Sequence, residues 1–364
     1  MTEPGLKGLV RQWVRPEIQQ LSAYHVADAG GLIKLDAMEN PYTWPDELRS
    51  AWLERLRSVD VNRYPDPGAS ALMQRLREYL GLPAHIAMLP GNGSDEIIQL
   101  IAMALSAEER SILAVEPSFV MYRMIATFCG MRYTGVPLRA EDYSLDMPAL
   151  LQAMEETRPA LVFLAYPNNP TGNLFDEQDV IRLIEAAPGL VVIDEAYTAF
   201  ARRSFRQYLG QYDNLLLMGT LSKMGLAGLR FGFLAGPAAW LEQLDKVRLP
   251  YNINVLTQVS TDFALAHRDV FDAQTAAIRA QREQMFAALQ SMEAVQAFPS
   301  QANFILVRVA DGRAEAVFNA LKRAGLLVKL SHGAHPLLQD CLRLTVGTEE
   351  ENAKLLAALS EALA

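Results

Sequence analysis

Five short apolar runs recur along the first two thirds of the chain: SILAV at 111–115, ALVFLAY at 160–166, LVVID at 190–194, NLLLMG at 214–219 and RFGFLAG at 230–236. None alternates apolar with polar, so each reads as a strand covered on both faces, the pattern of a parallel sheet under helices. A stretch of helical spacing at 94–106 precedes them, and others at 118–129 and 176–187 fall between them. Strand, helix, strand in that order predicts an α/β domain with a mostly parallel sheet. In such sheets ligands bind beyond the carboxyl ends of the strands, so the residue following each apolar run carries the functional interest.

After about residue 250 the pattern changes. Long helical segments over 255–292 precede FILVRV, a helix at about 313–324, LLVKL at 326–330 and CLRLTVG at 341–347, the sequence of a smaller α+β domain. A length of 364 residues fits two domains, at about 150 residues each. The boundary is expected near 260, and no low-complexity linker marks it. Hydrophobic residues at 51% and charged residues at 21% describe an ordinary folded protein. The 33 basic and 42 acidic side chains leave a net charge of −9, which argues against binding to a nucleic-acid backbone. Local arginines could still make a basic pocket. Cys129 and Cys341 stand far apart without a CxxC partner, so neither a disulfide framework nor a zinc ribbon is expected. The first twenty residues are interrupted by Lys, Arg and Pro, and no apolar run reaches membrane-spanning length. The expectation is a soluble cytoplasmic protein.

Chemistry concentrates in GTLSKMGLAGLRFGF, residues 219–233. Lysine is a side chain whose pKa falls readily on burial, and a neutral amine in a confined pocket is a carbonyl catalyst. Lys223 stands among the hydroxyls of Thr220 and Ser222, with Arg230 seven positions on, the groups a bound phosphate needs. A phosphate beside such a lysine points to pyridoxal 5'-phosphate. LVVID ends in Asp194, whose carboxylate could hold a protonated pyridine nitrogen and strengthen the ring as an electron sink; a helix cap is the equal alternative. PNNPTG at 167–172 follows a strand and fixes a tight turn from which Asn169 can be aimed. GNGSDEIIQL at 91–100 opens a helix whose first amides, at Ser94 and Asp95, with the helix dipole make an anion site.

These strings resemble the fold-type I pyridoxal-phosphate enzymes of the aspartate-aminotransferase family. The resemblance extends over nearly the whole chain through MENPY (38–42), NRYPDP (62–67), GNGSDE, PNNPTG, DEAY (194–197), TLSKMGLAGLRFG (220–232), PYNIN (250–254), SQANFILV (300–307) and LRLTVGT (342–348). It implies a large domain with a mostly parallel, mixed seven-stranded sheet at 45–260, a small α+β domain at 261–364, and an N-terminal arm, 1–44, joining the small domain. It implies that Lys223 is both covalent anchor and general base, that Asp194 pairs with the pyridinium, and that Asn169 and Tyr197 bond the ring hydroxyl oxygen. Ser94, Asp95, Thr220, Ser222 and Arg230 would bind the phosphate, with Tyr64 reaching it from the second subunit of a homodimer. Tyr24, Asn40 and Arg343 would face the substrate. The reaction implied is amino transfer between L-histidinol phosphate and 2-oxoglutarate, giving imidazole-acetol phosphate and L-glutamate in histidine biosynthesis, with no nucleic acid or membrane as partner.

Two positions depart from the family pattern. Phe119, in PSFVMY, keeps a ring-stacking face without a hydroxyl, and Lys329 offers a point charge where an arginine fork is usual. His332 and His335 in SHGAHP read as a solvated loop or a substrate contact ahead of a metal pair. An aromatic amino-acid aminotransferase and a threonine-phosphate decarboxylase share the fold and differ in what fills the side-chain pocket. A non-catalytic cofactor-binding protein conflicts with the intact set of Lys223, Asp194 and Asn169, and a nicotinamide dehydrogenase lacks its G-x-G-x-x-G signature.

Overall fold

The computed structural model describes residues 3–23, 26–310 and 312–364. Its strands are β1 (Ile33–Leu35), β2 (Ala87–Gly91), β3 (Ser111–Glu116), β4 (Arg132–Pro137), β5 (Leu161–Ala165), β6 (Leu190–Asp194), β7 (Leu215–Thr220), β8 (Gly232–Gly236), β9 (Val295–Ala297), β10 (Phe304–Val309), β11 (Leu326–Leu330) and β12 (Cys341–Thr345). Seven of them form one sheet in the order β2-β8-β7-β6-β5-β3-β4. β8 pairs antiparallel with both its neighbours and the other pairs are parallel, so the sheet is mixed through one reversed strand.

The apolar runs are continuous because the sheet has two cores. Leu113, Val162, Val191 and Leu217 point into one buried cluster, while their chain neighbours Ile112, Leu161, Val192 and Leu216 point into another on the opposite face. Each side chain so buried stabilises the fold by about 1.5–3 kcal/mol, which leaves no room for polar residues on either face. β2 and β4 sit at the sheet's edges and lack such runs, with Arg132 and Pro137 of β4 exposed; edge strands carry polar residues because one side faces water.

The second sheet has five strands in the order β1-β11-β12-β10-β9. β1, from the N-terminal segment, lies parallel to β11. Residues 255–292 form two helices, Val255–Ala266 and Arg268–Gln290, broken at His267, whose ψ of 34° is not helical. Residue 260 falls within the first of these. The second bridges the two cores, with Phe271 in the large-sheet cluster and Ile278, Met285 and Leu289 in that of the small sheet. The closing helix Glu349–Leu363 starts from a capping box between Thr348 and Glu351. Among the described residues no helix is long and apolar enough to cross a membrane.

Candidate active site

The strand ends converge on one cavity of about 110 Å³. Asp194 ends β6 and Thr220 ends β7; Asn169 follows β5, Phe119 follows β3, and Ser94 and Asp95 follow β2. All six line the cavity, together with Tyr197, Ser222, Lys223 and Arg230. The parallel strands deliver their carboxyl ends to the same side, so residues up to 136 positions apart in the chain meet.

Lys223 sits on a short turn, Ser222–Leu226, just after β7, which kinks at Gly225 with a φ of 125°. Glycine is the residue that takes that backbone without strain. Lys223 Nζ donates to the carbonyl of Ala37 at 3.1 Å and lies 5.9 Å from the centre of the Tyr197 ring. Burial lowers its pKa to about 8, helped by the positive charge of Arg343 and opposed by Glu39 and Asp95. At neutral pH the neutral, nucleophilic fraction of the amine is therefore far larger than for an ordinary lysine, although the protonated form still predominates.

Asp194 is buried, and loss of hydration raises its pKa to about 6 against the pull of hydrogen bonds from Tyr122 Oη at 2.7 Å and the Ala196 amide at 3.1 Å. A carboxylate held there at that cost is suited to a cationic N–H, which would lower its pKa again. Tyr122 is the contact that motif reading does not single out. It is fully buried, stacked on Phe163 at 4.6 Å and edge-on to Phe119 at 5.6 Å. Its spacing of three from Phe119 puts both on one face of the helix Met121–Phe128 and its preceding turn, which was the available signal.

An anion cradle closes the other end. Gly93 precedes the helix Ser94–Leu105, and Gly232 packs so closely on it that an added Cβ would stand 2.8 Å from the Gly93 carbonyl carbon and 2.9 Å from the Ser94 nitrogen. Arg230 lies over Gly93 and meets Asp95 at 3.3 Å. Thr220 and Ser222 share a hydroxyl contact of 2.9 Å. Helix amides, two hydroxyls and a guanidinium thus line one cavity, the donor set for a phosphate dianion.

A second cavity, of about 490 Å³, also lined by Phe119 and Asn169, holds Arg343 and Lys329. These two are register partners on β12 and β11, so both side chains leave the same face of the small sheet. Arg343 is buried, donating to Asn169 Oδ1 at 2.5 Å and to the Asp36 carbonyl at 2.7 Å. The PNNPTG turn that carries Asn169 is stitched to its neighbour by Asn168, which donates to the Pro117 carbonyl and accepts from Ser118.

The remaining expected site residues lie elsewhere. Asn40 donates to the Met224 carbonyl and to Gln274 Oε1, both at 2.9 Å, which places it under the lysine turn. Tyr64 is 83% exposed and stacked on Tyr251 at 4.5 Å. Tyr24 lies outside the described residues. His332 Nδ1 accepts from the Asp340 amide, and His335 lines the larger cavity. Among the described residues no group of three or more His, Cys, Asp or Glu is placed to hold a metal ion.

Comparison with known proteins gives the same picture. Residues 31–359 match the family model for aminotransferase class I and II. Histidinol-phosphate aminotransferase 2 of Nitrosococcus oceani is 58% identical over 97% of this chain and 98% of its own length. Histidinol-phosphate aminotransferase of Chromobacterium violaceum is 52% identical over 97% and 99%. Among solved structures, histidinol-phosphate aminotransferase from Sinorhizobium meliloti, in complex with pyridoxal-5'-phosphate, superposes with a TM-score of 0.85 at 25% identity, covering 96% of this chain and 97% of that one.

Proposed function

We infer, from the premise that this chain belongs to the class I and II aminotransferase family, that it is a pyridoxal-phosphate enzyme moving an amino group between L-histidinol phosphate and 2-oxoglutarate. The observation that carries this reading is the joint placement of a low-pKa lysine, a buried carboxylate and an anion cradle in one cavity. The residues fit the cofactor: the cradle takes its phosphate, and Asp194 gains the cationic partner its burial calls for. When bound, pyridoxal 5'-phosphate supplies an aldehyde that takes the amino group and a ring that draws electrons from the substrate Cα.

The protein's own groups do the rest. Lys223 Nζ would anchor the cofactor and, once displaced by the amine of the substrate, would move the proton from the substrate Cα to the cofactor C4' carbon. Asp194 holds the ring-nitrogen proton, and Tyr122 holds Asp194. Asn169 and Tyr197 are assigned to the ring hydroxyl oxygen and Phe119 to the ring face. Ser94, Asp95, Thr220, Ser222 and Arg230 are assigned to the phosphate. Arg343, with Lys329 beside it, takes the anionic end of either substrate, and Asn40 positions the lysine turn. Tyr24 would also face the substrate. We place the enzyme in the cytoplasm, in histidine biosynthesis, as a homodimer in which the exposed Tyr64 reaches the phosphate of the other subunit.

Assay of the purified enzyme with histidinol phosphate, phenylalanine and threonine phosphate side by side tests the substrate. Histidinol phosphate should give the highest kcat/KM; a preference for phenylalanine would overturn the assignment.

A further inference from the structure

The larger cavity runs from Arg343 and Lys329 to a wall with no part in the chemistry described above: Glu116, the last residue of β3, with Arg123 and Tyr133. Arg123 donates to Glu116 Oε1 through Nε at 3.1 Å and Nη2 at 2.5 Å, and its guanidinium carbon lies 4.6 Å from the centre of the Tyr133 ring. The carboxylate lies flat across β4 because residue 135 has no side chain. A Cβ there would stand 2.4 Å from Glu116 Cδ and 2.5 Å from Oε2. Gly135 sits mid-strand opposite Ala114, a place where glycine weakens a strand unless another group must approach closely.

Charge around this cavity is unequal. Arg123, Lys329 and Arg343 line it with His335, whose burial lowers its pKa and favours the neutral ring, and among the described lining residues Glu116 is the one carboxylate. Arg123 takes one oxygen of Glu116 and the Tyr133 hydroxyl also meets the carboxylate, which still has lone pairs for a further donor. A cavity with Arg343 and Lys329 at one end and a carboxylate balanced by Arg123 at the other suits a ligand with an anion at one end and an N–H donor at the other. Histidinol phosphate has that form, through its phosphate and its imidazole ring; phenylalanine has no ring donor and glutamate has no ring.

We propose that Glu116 is a specificity-determining residue whose carboxylate accepts the imidazole N–H of the substrate, held in place by Arg123 and by the gap at Gly135. This rests on histidinol phosphate being the amino donor. The test compares the two half-reactions of the holoenzyme, followed by cofactor absorbance. Glu116→Met should lower kcat/KM for histidinol phosphate about ten- to hundredfold, the loss expected for one charged hydrogen bond, and leave glutamate within about twofold. Glu116→Gln, a milder change in shape, should move the same ratio in the same direction by less, and so serves if the methionine variant does not fold. Gly135→Ala, which displaces the carboxylate without removing it, should reproduce the selective loss. Equal losses for both donors would assign Glu116 a structural role and overturn the proposal, as would no loss. A wild-type enzyme that uses glutamate but not histidinol phosphate would overturn the underlying reading, and this inference with it.

Discussion

The two ends of the site are built in different ways. The end assigned to the cofactor is a tight cavity of about 110 Å³ drawn from the strand ends of one sheet, whereas the end assigned to the substrate, of about 490 Å³, lies between β3 and Asn169 of the large sheet and β11 and β12 of the small one. At the first end, position is fixed by backbone: a turn kinked at Gly225, a helix start and a glycine contact. At the second it is fixed by side chains reaching between sheets, such as Arg343 to Asn169. Backbone-built chemistry should fail as a unit; chemistry built from side chains should separate substrates from one another.

Lys223→Ala is the sharpest way to break that contrast. Turnover with either donor should fall by at least the roughly 10²–10⁴-fold that a positioned acid–base group supplies, since the anchor is lost as well. The absorbance of the lysine-linked cofactor should vanish while the fold survives, and full activity would refute the assignment. In the wild type, the neutral fraction of an amine of pKa about 8 falls tenfold per unit below that value. Capture of cofactor by the apo-protein should therefore slow from pH 8 to pH 6 and level off above; a flat profile would deny the depressed pKa.

Arg343→Ala probes the join between the ends. KM for both donor and acceptor should rise about ten- to hundredfold, the loss of a charge-assisted pair, with cofactor binding little changed. Because the charge of Arg343 helps to lower the pKa of Lys223, the cofactor-capture profile should also move to higher pH. Unchanged kcat/KM with both substrates would remove Arg343 from the site.

The smallest effect belongs to Tyr122→Phe. The Tyr122 hydrogen bond pulls the pKa of Asp194 down, so its loss raises that pKa and less carboxylate is ionised at neutral pH. Activity should drop about tenfold or less, the worth of one hydrogen bond to a charged group, and the acid limb of the pH profile should shift upward. An unmoved limb would make Tyr122 a packing residue.

The same contrast explains what could be read from the sequence. Lys223, Asp194, Ser94 and Asn169 each end or follow a run or turn whose local pattern marks it, and a parallel sheet must bring such ends together. Edge strands β2 and β4 escaped notice because half-exposed strands lack a continuous apolar run. For Tyr122 the spacing from Phe119 marks the helix face but not its partner, and Glu116 carries no local signal. Their partners, Asp194 at 72 positions and Gly135 across the β3–β4 ladder, are contacts of direction, which residue identity does not encode. Asn40 shows the converse, since its string was evident but the amide turns to Met224 and Gln274.

The close contact of Gly232 with Gly93 also has a meaning for inheritance. A single-base change in a glycine codon that alters the residue always adds a β-carbon, whichever amino acid results. At residue 232 that carbon would meet backbone at 2.8 Å, where no side-chain rotation can relieve it. Every neighbour one mutation away must therefore shift this backbone, and the anion cradle resists gradual drift through the absence of a single atom.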